Sequence, residues 1–346
     1  ILSWSFDGTA RIWDAKTGGE ITTFHHAESV YGATWSKDEN RVLTWSLDGT
    51  ATIWDTKNGE ILVLLLHEGP VDSATWNADE TQVMTIDSWK AMRVWDVSNG
   101  KVLVEVKSDS PAWRLYRAAW SHDYRNIVVW FSDGRILGIE SSTGKTIFEF
   151  RHDNEVRSVR WSQDDSTLLS ISADYTVRLW NIANEHSPII LRHENGVNGA
   201  RWNTDETLVL TWTTDSLINV WDARDGTLLH TFSHEIGEIN GAIWNNDETQ
   251  IMSWGNDRTL RIWDIGTATE LIRLSKIIIT DAIWKSDGEA FLLWYGGELS
   301  LRNSENGEEI LSLNHGEFVT GALWDERDNL ILSWGTDGTI KLWILP

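Results

Sequence analysis

The amino-acid sequence predicts an all-β fold built from tandem copies of one unit. The first observation is a hairpin such as residues 43–55, in which two short runs rich in β-branched and aromatic residues flank an Asp-Gly turn. The second is spacing, since the hairpin's closing position recurs in steps of 39 to 44 residues along the chain. The third is that 22 of the 24 tryptophans occupy three fixed positions of the unit. A repeat of this length that closes on Trp-Asp is typical of four-stranded propeller blades.

Each unit is predicted to contain an inner strand, two hairpin strands and an outer strand. The inner strand follows a Val-x-Gly-Ala-x-Trp pattern, as in residues 30–35, and an acidic turn joins it to the hairpin. The outer strand follows an Asn-Gly or Thr-Gly turn. In order, the closing position holds Trp13, Trp54, Trp95, Ile139, Trp180, Trp221, Trp263, Arg302 and Trp343.

The count of strands bears on the number of blades. Residues 1–24 supply a hairpin and an outer strand, and the chain ends after an inner strand and a hairpin, so we count 34 strands in all. Eight blades need 32 strands and nine need 36. Eight blades would leave a hairpin with Trp334 and Trp343 exposed. We therefore expect nine blades, the first and last incomplete, in a single domain over residues 1–346 that is a fragment of a longer chain.

Composition excludes several classes of function. The chain has 29 Lys and Arg against 52 Asp and Glu, a net charge of −23, and no Cys. An acidic chain of this kind is not expected to bind nucleic acid or an anionic membrane, and thiolate metal sites and disulfides are impossible. The longest apolar run, residues 61–66, is too short to span a bilayer. With no targeting signal visible, we expect a cytoplasmic location, and we expect no metal or cofactor.

The hairpin, the period and the three tryptophan positions resemble the WD40-repeat family of β-propellers, and the near-identical units resemble its bacterial members. The resemblance covers essentially the whole chain. It implies a non-catalytic scaffold or sensor that binds a protein or peptide, as in the sensor arm of a larger signalling ATPase. No Gly-x-x-x-x-Gly-Lys-Ser/Thr loop occurs in the sequence, so any ATPase would lie outside it.

A His, a hydroxyl residue, an Asp and the closing Trp also recur together. They suggest a hydrolase triad, but an enzyme needs one such site and at least five units repeat the set. The resemblance implies a structural hydrogen-bond network in each blade, and buried imidazole and indole N–H groups do need partners. The residues assigned to this network are His26, Thr44, Asp48, Trp54, His152, Ser170, Asp174, Trp180, His193, Thr211, Asp215, Trp221, His234, Ser253, Asp257, Trp263, His315, Ser333, Asp337 and Trp343. Acidic turns such as residues 78–80 and 246–248 are expected to form a solvated face rather than calcium sites.

Departures from the repeat are predicted to carry recognition, because the fold does not require them. The fourth unit is three residues longer, and its loop over residues 107–117 holds Trp, Tyr and Arg, the residue types of binding hot spots. An equally open alternative is that Trp113 packs over a weakened blade. The position four residues before each inner-strand Trp also changes chemistry between units, and the resemblance places it on the face that meets partners. The predicted partner-binding residues are Tyr31, Asp72, Trp89, Trp113, Arg114, Tyr116, Arg117, Arg157, Asn198 and Asn240.

Two other functions stay open at this point. One is a propeller whose central channel binds a sugar or metal or carries out catalysis. The other is a module that forms homo-oligomers through its incomplete terminal blades, since unpaired strand edges can pair with another chain.

Overall fold

The computed structural model describes residues 1–88, 91–107, 115–184, 187–275, 278–325 and 329–345. Within these residues, 34 strands form nine antiparallel sheets and no helix is present. Seven sheets have four strands, whereas the first and last have three. The fold is therefore the predicted all-β propeller with nine blades, of which the first and last are incomplete. No helix that could cross a membrane occurs in the described part of the chain.

The strands follow the predicted order of inner, hairpin and outer strand. The first four sheets contain β1 (Leu2–Trp4), β2 (Thr9–Trp13) and β3 (Glu20–His25); β4 (Val30–Trp35), β5 (Arg41–Ser46), β6 (Thr50–Asp55) and β7 (Ile61–Leu66); β8 (Val71–Trp76), β9 (Gln82–Asp87), β10 (Ala91–Asp96) and β11 (Lys101–Lys107); and β12 (Leu115–Trp120), β13 (Asn126–Phe131), β14 (Arg135–Glu140) and β15 (Thr146–Arg151).

The remaining five sheets repeat the same order. They contain β16 (Val156–Trp161), β17 (Thr167–Ser172), β18 (Thr176–Asn181) and β19 (Ile189–Arg192); β20 (Val197–Trp202), β21 (Leu208–Thr213), β22 (Leu217–Asp222) and β23 (Leu228–Ser233); β24 (Ile239–Trp244), β25 (Gln250–Gly255), β26 (Thr259–Asp264) and β27 (Thr269–Ser275); β28 (Asp281–Trp284), β29 (Ala290–Tyr295), β30 (Glu298–Asn303) and β31 (Glu309–Asn314); and β32 (Val319–Trp324), β33 (Leu330–Gly335) and β34 (Ile340–Ile344).

The chain divides into two compact units, residues 1–174 with 180–188 and residues 175–179 with 189–346. In each unit, the core lies between consecutive sheets. In the first unit, Leu43 and Ile53 of the second sheet pack with Val83 and Trp95 of the third. The corresponding cluster of the second unit joins residues 208–232 to residues 239–265. Burial is therefore spread along the repeat instead of being centred in one globule.

A β-bulge occurs at the same place in seven inner strands. In β4, for example, Val30 pairs with Ser46 and Gly32 with Trp45, which leaves Tyr31 outside the ladder. The other bulges lie in β8, β12, β16, β20, β24 and β32. A bulge turns a side chain away from the regular pleat. The second residue of each of these strands is accordingly exposed.

The size of the residue after the bulge is matched to the size of the residue that pairs with it on the neighbouring hairpin strand. A Cβ on Gly241 would lie 2.6 Å from Cε2 of Trp254, so the indole ring needs glycine there. The other glycine and tryptophan pairs are Gly32 with Trp45, Gly199 with Trp212 and Gly321 with Trp334. Where isoleucine replaces the tryptophan, serine replaces the glycine, as in Ser73 with Ile86 and Ser158 with Ile171. The fourth sheet differs, because Trp130 lies opposite Arg117.

Candidate functional site

The repeated His, hydroxyl, Asp and Trp residues form a buried hydrogen-bond chain in the second sheet. Trp54 Nε1 donates to Thr44 Oγ1 (2.7 Å), and Thr44 Oγ1 lies 2.6 Å from His26 Nε2. His26 Nδ1 lies 3.0 Å from Asp48 Oδ2. Indole can only donate and carboxylate can only accept, so the hydroxyl donates to Nε2 and the Nδ1–H donates to Asp48. The neutral imidazole thus joins the loop before the inner strand to the hairpin turn.

The same chain occurs in the fifth and seventh sheets. Donor–acceptor distances are 2.7 to 2.9 Å in both. The members are His152, Ser170, Asp174 and Trp180 in the fifth sheet, and His234, Ser253, Asp257 and Trp263 in the seventh.

The sixth sheet completes only part of the chain. His193 and Trp221 both bond Thr211 at 2.9 Å. Asp215 does not reach His193, because its carboxylate accepts hydrogen bonds from the side chains of Thr213 (2.5 Å) and Asn195 (2.8 Å). The Nδ1 atom of His193 has no partner among the described residues.

In the ninth sheet the imidazole ring is turned over. His315 Nδ1 lies 2.8 Å from the Ser333 hydroxyl, which also accepts the Trp343 N–H at 2.8 Å. His315 Nε2 lies 3.5 Å from Asp337 Oδ1 and 3.2 Å from the Thr339 hydroxyl. This network keeps its members but exchanges the roles of the two ring nitrogens.

Burial lowers the pKa of four of the repeated histidines and so favours their neutral form. Desolvation lowers the pKa of His67, which bonds Thr85 in the third sheet, to about 4, and does the same for the pKa of His193. Desolvation also lowers the pKa of His26 and His234, against the opposing effect of the Asp48 and Asp257 carboxylates. No group of three or more potential metal ligands is found among the described residues. The networks of the second, fifth and seventh sheets are therefore complete and buried, and the sixth sheet repeats part of the same arrangement.

The acidic turns after the inner strands hold a contact that the sequence analysis missed. Glu80 accepts hydrogen bonds from the Lys37 N–H and from the Arg41 guanidinium (2.6 Å) of the preceding sheet. Glu248 similarly accepts the Thr204 N–H. We call this contact, in which an acidic turn residue accepts a backbone N–H of the preceding sheet, the turn latch. It is made by Glu80, Asp165 and Glu248, whose φ angles are 57° to 59°. Part of the acidic face therefore ties consecutive sheets together, and the recurrence of an acidic residue at one turn position was the available signal.

The predicted partner-binding positions that the structure describes are exposed bulge residues, together with Arg117, which pairs with Trp130. Asp72 accepts the Ser88 hydroxyl (2.6 Å), and Asn240 donates to Asn256 Oδ1 (3.0 Å), so this strand end lies beside the hairpin turn of its own sheet. Asn198 donates to the carbonyl of Ile239 on the next inner strand (3.0 Å). The exposed residues of the set are Tyr31, Asp72, Tyr116, Arg117, Arg157, Asn198 and Asn240. Trp89, Trp113 and Arg114 lie outside the described residues.

The first unit carries an exposed apolar cluster around Tyr31. Phe6 contacts Tyr31 edge to face, with ring centroids 6.3 Å apart, and Phe6 is 78% exposed. The Ser29 hydroxyl donates to the Phe6 carbonyl (3.0 Å), and the Ser29 carbonyl accepts the Leu47 N–H (2.9 Å). Ser29 thus joins the hairpin turns that carry Phe6 and Leu47. We call Phe6, Tyr31 and Leu47 the apolar cluster.

Comparison between units could have identified Phe6 and Leu47 in advance. Both precede the Asp of a hairpin turn. At that turn position six other units have a small or polar residue, namely Ser88, Ser132, Ala173, Thr214, Asn256 and Thr336, and the eighth unit has Tyr295, whose hydroxyl donates to Glu298 (3.0 Å). The second unit has exposed apolar residues of its own at Ile236, Ile278 and Phe318.

Comparisons with known proteins identify the repeat and the fold. The family model for "WD domain, G-beta repeat" matches residues 18–55, 144–181, 226–264 and 307–343. No curated protein sequence matches the chain.

Three solved structures are similar in fold. The designed protein Ika8 has a TM-score of 0.66 and 23% identity, over 92% of this chain and 97% of that one. The C-terminal WD40 domain of Sif2 has a TM-score of 0.61 and 17% identity, over 100% of this chain and 92% of that one. A chain of the mitotic checkpoint complex has a TM-score of 0.57 and 17% identity, over 79% of this chain and 86% of that one.

Proposed function

This chain is a WD40-repeat β-propeller protein, and on that premise we propose that it is a non-catalytic module that binds a protein or peptide through the apolar cluster of its first unit. WD40 propellers typically serve as scaffolds for protein interactions, and one structural neighbour belongs to a protein complex. The His, Ser/Thr and Asp residues that could suggest hydrolysis bond one another and the closing Trp in buried networks that are complete in three sheets, such as that of His26, Thr44 and Asp48.

The observation that carries the proposal is the exposure of Phe6, Tyr31 and Leu47 at one end of the first two sheets. Aromatic side chains are enriched in binding hot spots, and their truncation typically costs more than about 1 kcal/mol of binding free energy. The edge-to-face contact and the Ser29 hydrogen bonds already hold the turns in place. Less conformational entropy is therefore lost when a partner binds.

The polar surroundings of the cluster favour specificity. Asp72 and Tyr116 hold equivalent bulge positions on the next two inner strands of the same unit. The apolar cluster could form the core of an interface, and the Asp72 carboxylate and the Tyr116 hydroxyl could form part of its polar rim. An apolar core with a polar rim is the usual arrangement of a protein interface.

A variant that borrows residues from other units tests the proposal. Phe6→Ser, Tyr31→Asn and Leu47→Ser introduce residue types found at the equivalent positions of Ser88, Asn198 and Ser132. The triple variant should therefore keep its fold. The matched control carries Ile147→Ser, Leu229→Ser and Ile310→Ser, three exposed residues of outer strands.

The assay is quantitative capture from extracts of the source cells on the immobilised full chain, followed by the affinity of the purified partner. We expect the triple variant to weaken binding at least about tenfold, as loss of 1.4 kcal/mol or more would do, and the control to bind like the wild type. Equal binding by the triple variant, with unchanged circular dichroism, would overturn the proposal.

A further inference from the structure

The outer strand of the second sheet, β7, departs from the repeat at surface positions that the fold does not need. Val63 and Leu65 point inward and pack against the third sheet. A Cβ on Gly100 of that sheet would lie 3.3 Å from Val63 Cγ1 and 3.7 Å from the Leu64 carbonyl oxygen. Leu64 is 45% exposed and Leu66 is 65% exposed. The sequence of β7, Ile-Leu-Val-Leu-Leu-Leu, contains no polar residue.

The other outer strands provide seven internal comparisons. At the register of Leu64 they carry Thr23, Glu105, Glu149, Ile190, Thr231, Arg273 and Ser312. At the register of Leu66 they carry His25, Lys107, Arg151, Arg192, Ser233, Ser275 and Asn314. Polar residues therefore satisfy the fold at both positions, and β7 alone is apolar at both. Apolar edge strands without charge or proline are normally avoided because they template pairing.

The backbone of β7 is available to a further strand. Among the described strands, β7 is the last of its sheet and pairs with β6. The His67 N–H donates to the Gly49 carbonyl (2.9 Å), and alternate residues of an antiparallel strand direct their polar groups to the same side. Leu65 and Val63 are thus turned toward β6, whereas Leu64 and Leu66 present their N–H and C=O groups to the open edge.

We propose that the β7 edge binds an extended apolar strand of another protein, flanked by Lys or Arg, by β-augmentation. We expect Lys or Arg at the ends of the partner strand because Glu60 and Glu68, at the two ends of β7, are both exposed and the chain has a net charge of −23. Main-chain hydrogen bonds would supply affinity, and the Leu64 and Leu66 side chains would select alternate apolar residues.

A second copy of the chain is a poorer occupant. The antiparallel register that places Leu64 opposite its own copy also brings the end of β7 that carries Glu60 near the end that carries Glu68 of the other copy. Like charges that face each other across strands are destabilising. This surface is separate from the apolar cluster, so the inference stands or falls independently of the proposed function.

The test uses the full chain and a fluorescent peptide, Lys-Lys-Leu-Thr-Leu-Thr-Leu-Lys-Lys, in an anisotropy titration. The variant L64E/L66K copies Glu105 and Lys107 of β11, so its fold should be kept. The control, L229E/I310K, makes the same charge change on exposed residues of β23 and β31. We expect saturable binding that L64E/L66K weakens at least about tenfold and that the control leaves unchanged.

Two altered peptides test the mode of binding. N-methylation at alternate residues should abolish binding, because it removes the main-chain donors, and Glu in place of the terminal Lys should weaken binding. Equal binding by L64E/L66K, or an equal loss in the control, would overturn the proposal. Sedimentation velocity supplies the last arm: a wild-type dimer that L64E/L66K dissociates, with no binding of the peptide, would replace the foreign strand by a second copy.

Discussion

The match between the residue after the bulge and the residue opposite it can be tested by a double-mutant cycle at Gly241 and Trp254. A Cβ at Gly241 would lie 2.6 Å from Trp254 Cε2, and Trp254 is 5% exposed, so the ring cannot move away without opening the core. We expect Gly241→Ser alone to cost about 1–3 kcal/mol through overpacking. Trp254→Ile alone should cost about 2–3 kcal/mol, less than the about 3–5 kcal/mol typical of Trp→Ala.

The double variant should cost less than the sum, because it recreates the pair that Ser158 and Ile171 form in the fifth sheet. We expect a favourable coupling of about 1–3 kcal/mol, within the range for residues in direct contact. The assay is hydrogen exchange by mass spectrometry on peptides covering residues 239–264, which reports the local opening free energy. Additive costs, with a coupling near zero, would refute the steric reasoning.

Three further predictions concern the polar contacts. The pKa of His67 and of His193 falls from 6.5 to about 4 on folding, so between these pH values the unfolded chain binds more protons than the folded chain. The free energy of unfolding should therefore have its full value above pH 6.5 and fall by on the order of 3 kcal/mol per histidine as the pH is lowered to about 4. Urea unfolding at stepped pH measures this change. Glu248→Gln should cost about 1–2 kcal/mol in the same assay, because the amide oxygen replaces one of two acceptors, whereas exposed Glu317→Gln should be neutral. Asp87 is 2% exposed and accepts hydrogen bonds from the Arg93 guanidinium (2.6 Å) and the Ala91 N–H (3.0 Å). Asp87→Ala should cost about 1–3 kcal/mol, because the Ala91 N–H loses its acceptor and Arg93 keeps only the Glu105 carboxylate among the described residues, and a cost below 1 kcal/mol would contradict that.

The fold was predictable because each strand carries its own local pattern. The Asp-Gly turns, the alternating β-branched residues and the tryptophan positions predicted 34 strands in nine blades, of which only the first and last are incomplete, and the described residues contain them. The bulge was not predictable in this way, because a shift of register depends on pairing with β5 and its equivalents. One consequence, glycine opposite tryptophan and serine opposite isoleucine in most of the bulged strands, could have been predicted by comparing Gly32 and Ser73 across units.

The site was predictable only in part. Tyr31 was predicted to bind a partner because the chemistry of its position varies between units, and that role stays a prediction. The same comparison at the hairpin turn would have pointed to Phe6 and Leu47. Contacts decided by competition between side chains could not be read from spacing. Asp215 has the spacing of Asp48 and yet bonds Asn195 and Thr213, since those donors lie closer to it than His193.

The most direct measurement of the central claim is site-specific photo-crosslinking of the full chain in extracts of its source cells. The photoreactive residue benzoylphenylalanine would replace Tyr31 in one protein and exposed Ile147 in the other. We expect one discrete covalent adduct from position 31 and none from position 147. Excess unmodified wild type should suppress that adduct, and excess Phe6→Ser, Tyr31→Asn, Leu47→Ser variant should not. No adduct at position 31, or equal suppression by the two competitors, would contradict recognition through the apolar cluster.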